Sequence, residues 1–182
     1  MGKGLVEELK KDFAIQDTWL PFQLRPWTPK EGIPYSVLFP NMDMKQRYSD
    51  LNKSGEPFGI RFGERTFLSN SGPALQAGEY ARDNGKYDLF HEEIFRAYFT
   101  DVLDIGAPEI LLSIAGKVGL DTEELQRCLD DGRYQARLED GMNQATKYGI
   151  TAVPTFIINE TQRIVGVPTL ESFREQLERI RQ

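Results

Sequence analysis

The sequence predicts an α/β fold that is interrupted by a large all-helical insertion, and three observations support this prediction. A helical pattern stops at Gly149, and a Val153-Pro154 step then opens an apolar strand. Helical periodicity runs almost without a break over residues 71–148. A strand pair and an amphipathic helix close the 182-residue chain. With 40% hydrophobic residues, a chain of this length can bury a sizeable core.

The N-terminal part of the chain is predicted to alternate helices and strands around a loop. Leucines recur at helical spacing after the first residues, which predicts an amphipathic helix. The next segment is rich in Trp and Phe, as strands often are. A loop that carries Pro26, Pro29, Pro34 and Pro40 follows, and its proline content excludes regular structure. The predicted elements are a helix over 3–13, a strand over 15–24, a helix over 42–51 and a short strand over 58–62.

Five consecutive helices are predicted in the middle of the chain. Two of them have clear start signals, Pro108 in a first turn and Asp121 as an N-cap followed by Glu123 and Glu124. The predicted helices cover residues 72–83, 87–99, 107–117, 121–130 and 133–148. The sequence thus predicts a compact helical unit between two parts of an α/β domain.

The C-terminal part is predicted to be a helix-to-strand corner, a hairpin and a last helix. Gly149 follows a helix end, where glycine supplies the left-handed cap, and Pro154 opens a strand without costing it an interior hydrogen bond. Residues 155–159 and 163–165 form the predicted hairpin. Apolar residues at helical spacing then predict a helix over 170–180.

Composition excludes several classes of function. A net charge of −6 argues against a nucleic-acid partner, because phosphate binding needs a clustered basic surface. No apolar run approaches the roughly 18 residues of a membrane span, so no membrane partner is expected. The charged N-terminus lacks a leader pattern, and Cys128 is the single cysteine, which fits a reducing compartment. We therefore expect a cytoplasmic protein.

The segment Tyr148–Asn159 resembles the Val-Pro-Thr-Phe corner of thioredoxin-fold proteins of the DsbA group. Further stretches resemble the FrnE-like branch of that family, and they are residues 20–26, 29–32, 93–99 and 165–168. The resemblance implies a thioredoxin-like, DsbA-like sheet with a helical insertion. It also implies an incomplete thioredoxin-like domain over residues 1–70 and 149–182 and a helical insertion domain over 71–148. The implied activity is that of a protein thiol-disulfide oxidoreductase.

The resemblance also implies where the site lies. In the family the Val-Pro bond is cis, so Val153, Pro154 and Thr155 are the expected substrate-binding residues. The family's first strand ends in Cys-Pro-x-Cys-Tyr followed by a small residue, Gly and Lys, and Met1-Gly2-Lys3 matches that tail. The first strand and the catalytic dithiol are therefore expected upstream of Met1, with no catalytic residue in this chain. Because a resolving cysteine is needed for turnover, the chain as given is predicted to be redox-inactive.

Two alternative functions stay open. A kappa-class glutathione transferase or 2-hydroxychromene-2-carboxylate isomerase-like enzyme has a similar fold and carries Ser at the missing position. A redox-inactive peptide-binding module would keep the Val153-Pro154 edge without chemistry. No bound cofactor is expected, although glutathione is a candidate redox partner or co-substrate. The expected partner is a thiol- or disulfide-containing protein or small molecule.

Other candidate residues favour structural roles. Cys128 lies on a predicted helix beside acidic residues, which do not stabilise a thiolate, so we expect a core residue. His91 is the single histidine; without further ligands it cannot build a zinc site, and we expect it to pack on its helix or lie at the surface. Unpaired strand edges next to the missing strand favour a homo-oligomer with shared elements.

Overall fold

The computed structural model describes the backbone of residues 1–181. Helices are far more abundant than strands in this part of the chain. The helices are α1 (Gly2–Leu9), α2 (Tyr35–Leu38), α3 (Met44–Gly55), α4 (Gly72–Asp83), α5 (Tyr87–Phe99), α6 (Pro108–Lys117), α7 (Thr122–Asp131), α8 (Gln135–Lys147) and α9 (Leu170–Arg181). The strands are β1 (Ile33–Pro34), β2 (Phe67–Leu68), β3 (Thr155–Ile158) and β4 (Gln162–Val165).

The described strands pair as two antiparallel two-stranded ladders. β1 pairs with β2, and Ile33 lies opposite Leu68. The prediction that the proline-containing loop has no regular structure is therefore wrong, because β1 and α2 lie within it. β3 pairs with β4, with Thr155 opposite Val165 and Ile158 opposite Gln162. The predicted hairpin and last helix are confirmed. Since β3 has a ladder on one side only, its other edge carries free backbone groups.

Helices α1 and α9 cover the β3–β4 hairpin and form a first hydrophobic cluster. Leu5 and Leu9 of α1 are fully buried against Phe173 of α9. The Phe156 ring of β3 meets the Phe173 ring edge to face, with centroids 5.0 Å apart. Burying these side chains contributes roughly 1.5 to 3 kcal/mol each, so α1 is held by its apolar face.

Helices α4 to α8 form the predicted helical block around a second hydrophobic cluster. Its fully buried members include Phe90, Leu111 and Leu125. The Asp121 carboxylate accepts a hydrogen bond of 3.0 Å from the Glu124 N–H, which confirms the predicted N-cap. The division of the chain into two domains stays a prediction. No helix within residues 1–181 is long and apolar enough to cross a membrane.

The predicted strand over residues 15–24 is wrong, because this segment joins no ladder. Side chains of α4 and α8 form hydrogen bonds with its backbone groups instead. The carbonyl oxygen of Trp19 accepts a hydrogen bond of 2.8 Å from Nη2 of Arg82, and the Gln23 N–H donates to Sδ of Met142 at 3.3 Å. A sequence rich in aromatic residues thus packs here as an irregular segment against α4 and α8.

The predicted strand over residues 58–62 is also wrong. Glu56–Phe58 form a 3-10 turn, and Gly59 takes the left-handed conformation with φ of 64°. The side-chain amide of Asn52 forms the hydrogen bonds that the backbone of a neighbouring strand would otherwise supply. Its Oδ1 accepts from the Phe62 N–H at 2.7 Å, and its Nδ2 donates to the Phe62 carbonyl oxygen at 3.1 Å. The backbone of Phe62 is therefore paired without a ladder.

Candidate substrate-binding site at the helix-to-strand corner

The corner between α8 and β3 is built by a glycine-capped helix end. Gly149 has φ of 62°, a conformation that glycine adopts without the steric cost of a Cβ. The Ile150 N–H donates to the Ala145 carbonyl oxygen at 2.8 Å, and the Gly149 N–H to that of Thr146 at 3.0 Å. These bonds form a Schellman-type cap. The predicted glycine cap is confirmed, and it turns the chain sharply toward Val153.

Two hydrogen bonds hold the residues that follow the cap. The Val153–Pro154 peptide bond is cis, the geometry that the family resemblance implies. The Thr155 hydroxyl donates to the Ala152 carbonyl oxygen at 2.7 Å, spanning this bond. The Gly166 N–H donates to the Pro154 carbonyl oxygen at 2.8 Å. The corner is thus held by one hydrogen bond within it and by a second from Gly166, which follows β4.

Arg163 ties the hairpin to the helix that precedes it. Its side chain projects from β4, and Nη1 donates to the carbonyl oxygens of Tyr148 at 3.0 Å and Gly149 at 3.2 Å. A helix C-terminus carries partial negative charge on its free carbonyl groups, so a guanidinium is well placed there. Arg163 therefore positions the corner relative to α8.

The first turn of α1 lies against the same corner. A Cβ built on Gly2 would be 3.3 Å from Cγ of Pro154 and 3.5 Å from Cζ of Phe156. The distance to Pro154 is tighter than most Cβ contacts, whereas the distance to Phe156 is an ordinary van der Waals contact. The absence of a side chain at Gly2 therefore eases the approach of α1 to Pro154. The start of α1 and the Val153–Thr155 segment therefore share one small region of the surface.

Val153 presents a free backbone and an apolar side chain at this surface. Within residues 1–181 neither its N–H nor its carbonyl oxygen takes a hydrogen bond. Val153 and two neighbouring valines are exposed, at 52% for Val153, 57% for Val165 and 37% for Val167. An unpaired donor and acceptor beside an apolar rim suit an extended peptide, which adds a strand through main-chain hydrogen bonds. The predicted substrate-binding residues Val153, Pro154 and Thr155 thus lie at this exposed edge.

Cys128 does not belong to this site. It is buried in the helical block, and burial raises the pKa of its thiol above the usual value. Its Sγ also lies 3.9 Å from the Glu124 carboxylate, which further disfavours a thiolate. The placement matches the predicted core role.

His91 packs into a row of aromatic rings on α5. Its ring stacks on Tyr87 at 5.3 Å and tilts against Trp19 and Phe95, with centroid distances of 5.1 Å and 4.1 Å. Burial, helped by the charge of nearby Lys3, lowers the pKa of His91 to about 4. The imidazole is therefore neutral at physiological pH. No group of His, Cys, Asp and Glu side chains suited to a metal ion occurs among the described residues.

Comparison with known proteins places the chain in a family. The family model of the DSBA-like thioredoxin domain matches residues 3–178. The chain belongs to the DsbA-like thioredoxin family. The element order described above agrees with a DsbA-like thioredoxin fold that contains a helical insertion. Its disulfide-oxidoreductase character holds at the level of the family.

Individual relatives of this DsbA-like chain cover most of its length. It is 31% identical over 172 residues to the uncharacterized protein YwbO of Bacillus subtilis, covering 88% of this chain and 80% of that protein. It is 28% identical over 141 residues to a Rickettsia bellii protein named as a candidate protein-disulfide oxidoreductase, covering 75% of this chain and 51% of that protein.

A solved structure shows the same DsbA-like fold. It is the crystal structure of a probable DsbA oxidoreductase from Streptomyces coelicolor, with a TM-score of 0.89 and 21% identity. The superposition covers 98% of this chain and 82% of the other.

Sequence reasoning missed the contacts of Gly2 and Arg163 with the corner. The Val165-Gly166-Val167 run was the one local signal for the apolar valines beside Val153.

Proposed function

We propose that this DsbA-like chain carries the substrate-binding half of a protein thiol-disulfide oxidoreductase site. One observation carries the proposal: the first turn of α1 lies against Pro154 and Phe156, directly beside the free backbone of Val153. A dithiol attached at the start of α1 would therefore face a peptide bound along Val153–Thr155. The helix N-terminus would also lower the pKa of such a thiol.

The chemistry follows the usual thiol-disulfide exchange. A thiolate attacks one sulfur of a substrate disulfide, forms a mixed disulfide and releases the other sulfur as a thiolate. A second cysteine then attacks the mixed disulfide, which leaves the substrate reduced and the enzyme oxidised. The residues of this chain bind and orient the substrate peptide near Val153. Cys128 does not take part, because it is buried and has no second cysteine in the sequence.

The experiment compares insulin reduction by dithiothreitol for two proteins. The chain as given is expected to show no rate above the uncatalysed background. The same chain extended before Met1 by a strand ending in Cys-Pro-x-Cys-Tyr is expected to accelerate the reaction. Cys128→Ser in the extended protein serves as the matched control and should keep the activity.

Two results would overturn the proposal. An extended protein that gains stability but no activity would remove the oxidoreductase function and favour a peptide-binding module. Activity in the chain as given that disappears in Cys128→Ser would show that Cys128 is a reactive thiol. Circular dichroism on each variant separates loss of chemistry from loss of fold.

A further inference from the structure

Two arginines and two aromatic rings alternate on the surface formed by the proline-rich loop and α3. The guanidinium carbon of Arg25 lies 5.9 Å from the Trp27 ring centroid and 5.8 Å from that of Phe39. The guanidinium carbon of Arg47 lies 5.9 Å from the same Phe39 centroid. Arg47 Nη1 is also 3.7 Å from Sδ of Met42. We call Arg25, Trp27, Phe39, Met42 and Arg47 the arginine–aromatic surface.

Contacts with Tyr35 and Thr28 hold parts of the arginine–aromatic surface in place. The Phe39 ring meets the buried Tyr35 ring edge to face, with centroids 5.4 Å apart. The turn that carries Arg25 is closed by Thr28, whose N–H and hydroxyl both donate to the Arg25 carbonyl oxygen, at 3.1 Å and 2.8 Å. Both arginines are therefore presented by ordered backbone, which lowers the entropy that a partner's binding would cost.

The two guanidinium groups carry uncompensated charge. Neither Arg25 nor Arg47 forms an ion pair within the part of the chain that the structure describes. The two carboxylates nearest to Arg47 in sequence have other partners. Asp50 accepts from Nε2 of Gln46 at 2.9 Å and lies 3.9 Å from Lys53, and Asp43 accepts from the Gln46 N–H at 2.9 Å to cap α3. By contrast, Arg133 and Arg137 on the helical block each pair with carboxylates. The arginine–aromatic surface is thus a local cationic area on a chain of net charge −6.

Apolar area is exposed next to these charges. Trp27 is 64% exposed and Met42 is 40% exposed. Exposed Trp beside Arg is the composition that dominates binding energy at protein interfaces. A guanidinium in cation–π contact with a ring keeps N–H donors that can bind a carboxylate.

We propose that the arginine–aromatic surface docks an acidic segment of another polypeptide. Carboxylates of that segment pair with Arg25 and Arg47, and an apolar side chain between them packs on Trp27 and Met42. A nucleic acid is disfavoured because two guanidinium groups make a smaller basic patch than binding to a phosphate backbone requires. The proposal does not depend on redox activity, since it involves neither Val153 nor Cys128.

A titration followed by tryptophan fluorescence tests the proposal. The probe is a synthetic peptide in which Glu and Leu alternate, and the control peptide replaces every Glu with Lys. The acidic peptide is expected to change the emission of exposed Trp27 in a saturable way that weakens as salt is added. The lysine peptide is expected to cause no saturable change. Trp27→Phe should abolish the signal, which assigns it to Trp27 rather than Trp19.

Variants on α3 localise the binding. Arg47 is exposed, so Arg47→Ala should fold normally and weaken acidic-peptide binding about threefold to tenfold. Arg47→Lys should keep most of the affinity because it retains the charge. Lys45→Ala removes an exposed cation from the same helix and should leave the affinity unchanged.

Three results would overturn the proposal. The first is equal binding of the acidic and lysine peptides, which would show a non-specific apolar effect. The second is unchanged affinity in a folded Arg47→Ala variant. The third is tighter binding of a thymidine oligonucleotide than of the acidic peptide, which would assign the surface to single-stranded nucleic acid instead.

Discussion

Arg163 of β4 donates a hydrogen bond of 3.0 Å to the carbonyl oxygen of Tyr148, so the hairpin is joined directly to the end of α8. A second bond of 3.2 Å to Gly149 completes the contact. The two bonds connect an element far along the sequence to the turn that presents Val153. The orientation of the candidate site thus depends on a side chain outside it.

Arg163→Ala is expected to lower the free energy of unfolding by about 1 kcal/mol, since each exposed hydrogen bond contributes about 0.5 to 1.5 kcal/mol. Arg163→Lys should lose about half as much because an ammonium can still donate to one carbonyl. Urea denaturation measures both values. Arg179→Ala, which removes an exposed side chain 3.8 Å from Glu175, is the control and should have little effect. Equal effects of Arg163→Ala and Arg179→Ala would contradict the positioning role.

Two glycines in the middle of helices are expected to respond to alanine in opposite directions. A Cβ on Gly141 of α8 would lie 2.3 Å from the carbonyl oxygen of Pro21, whereas one on Gly78 of α4 would meet nothing closer than Cε2 of Tyr87 at 3.8 Å. Gly141→Ala should therefore destabilise the protein by about 1 to 3 kcal/mol through overpacking. Gly78→Ala should stabilise it by about 0.5 to 1 kcal/mol. Melting temperatures of the two variants check the signs, and a stabilising Gly141→Ala would mean that residues 15–24 are not docked on α8.

The aromatic row around His91 predicts a pH dependence of stability. Burial lowers the native pKa of His91 to about 4, below the ordinary 6.5. Between these values the unfolded chain binds a proton that the native state does not. Stability should therefore fall as the pH drops from about 6.5 to about 4, by up to about 3 kcal/mol.

His91→Phe isolates this effect, because His91 is the single histidine of the sequence. Phenylalanine keeps the stacking on Tyr87 and Phe95 but cannot bind a proton. Urea midpoints measured between pH 7 and 4 should vary less in the variant than in the parent protein. Curves of the same slope in both proteins would show that carboxylates such as Asp83, whose pKa is lowered by its bonds to Arg137, cause the whole acid response.

The amide of Asn52 is expected to be essential for the segment before β2. Asn52→Ala removes both partners of the Phe62 backbone and should cost about 2 kcal/mol. Asn52→Ser keeps a small polar group at this position and should recover part of that loss. Hydrogen exchange at the Phe62 amide provides an independent measure, since it should speed up in Asn52→Ala. Unchanged exchange would contradict the pairing.

Helices were predicted well from the sequence because their signals are local. Pro108 and Asp121 mark helix starts by their own chemistry, and the apolar spacing of each helix repeats within a few residues. Strands were predicted less well, since a strand exists only with a partner. The segment around Trp19 has the composition of a strand, yet Arg82 takes its backbone carbonyl. Nothing near Trp19 in the sequence indicates that outcome.

The candidate site shows the same limit. The helix end at Gly149 and the strand opening at Pro154 could be predicted because a glycine cap and an opening proline act on their immediate neighbours. The choice of Val153, Pro154 and Thr155 as the site rested on the family resemblance. The contact of Gly2 with Pro154 joins residues at opposite ends of the chain, and sequence periodicity carries no information about such pairs. The positions of Arg163 and Gly166 likewise follow from the register of the hairpin.

The burial of Cys128 makes the protein a convenient host for site-directed probes. With its single thiol shielded in the helical block, a cysteine placed at exposed Val153 or Trp27 would be the one that reacts with a maleimide under native conditions. A spin label or fluorophore could then be attached to either surface without first removing the natural cysteine. The mobility or emission of that label could thus be followed in solution while peptides are added.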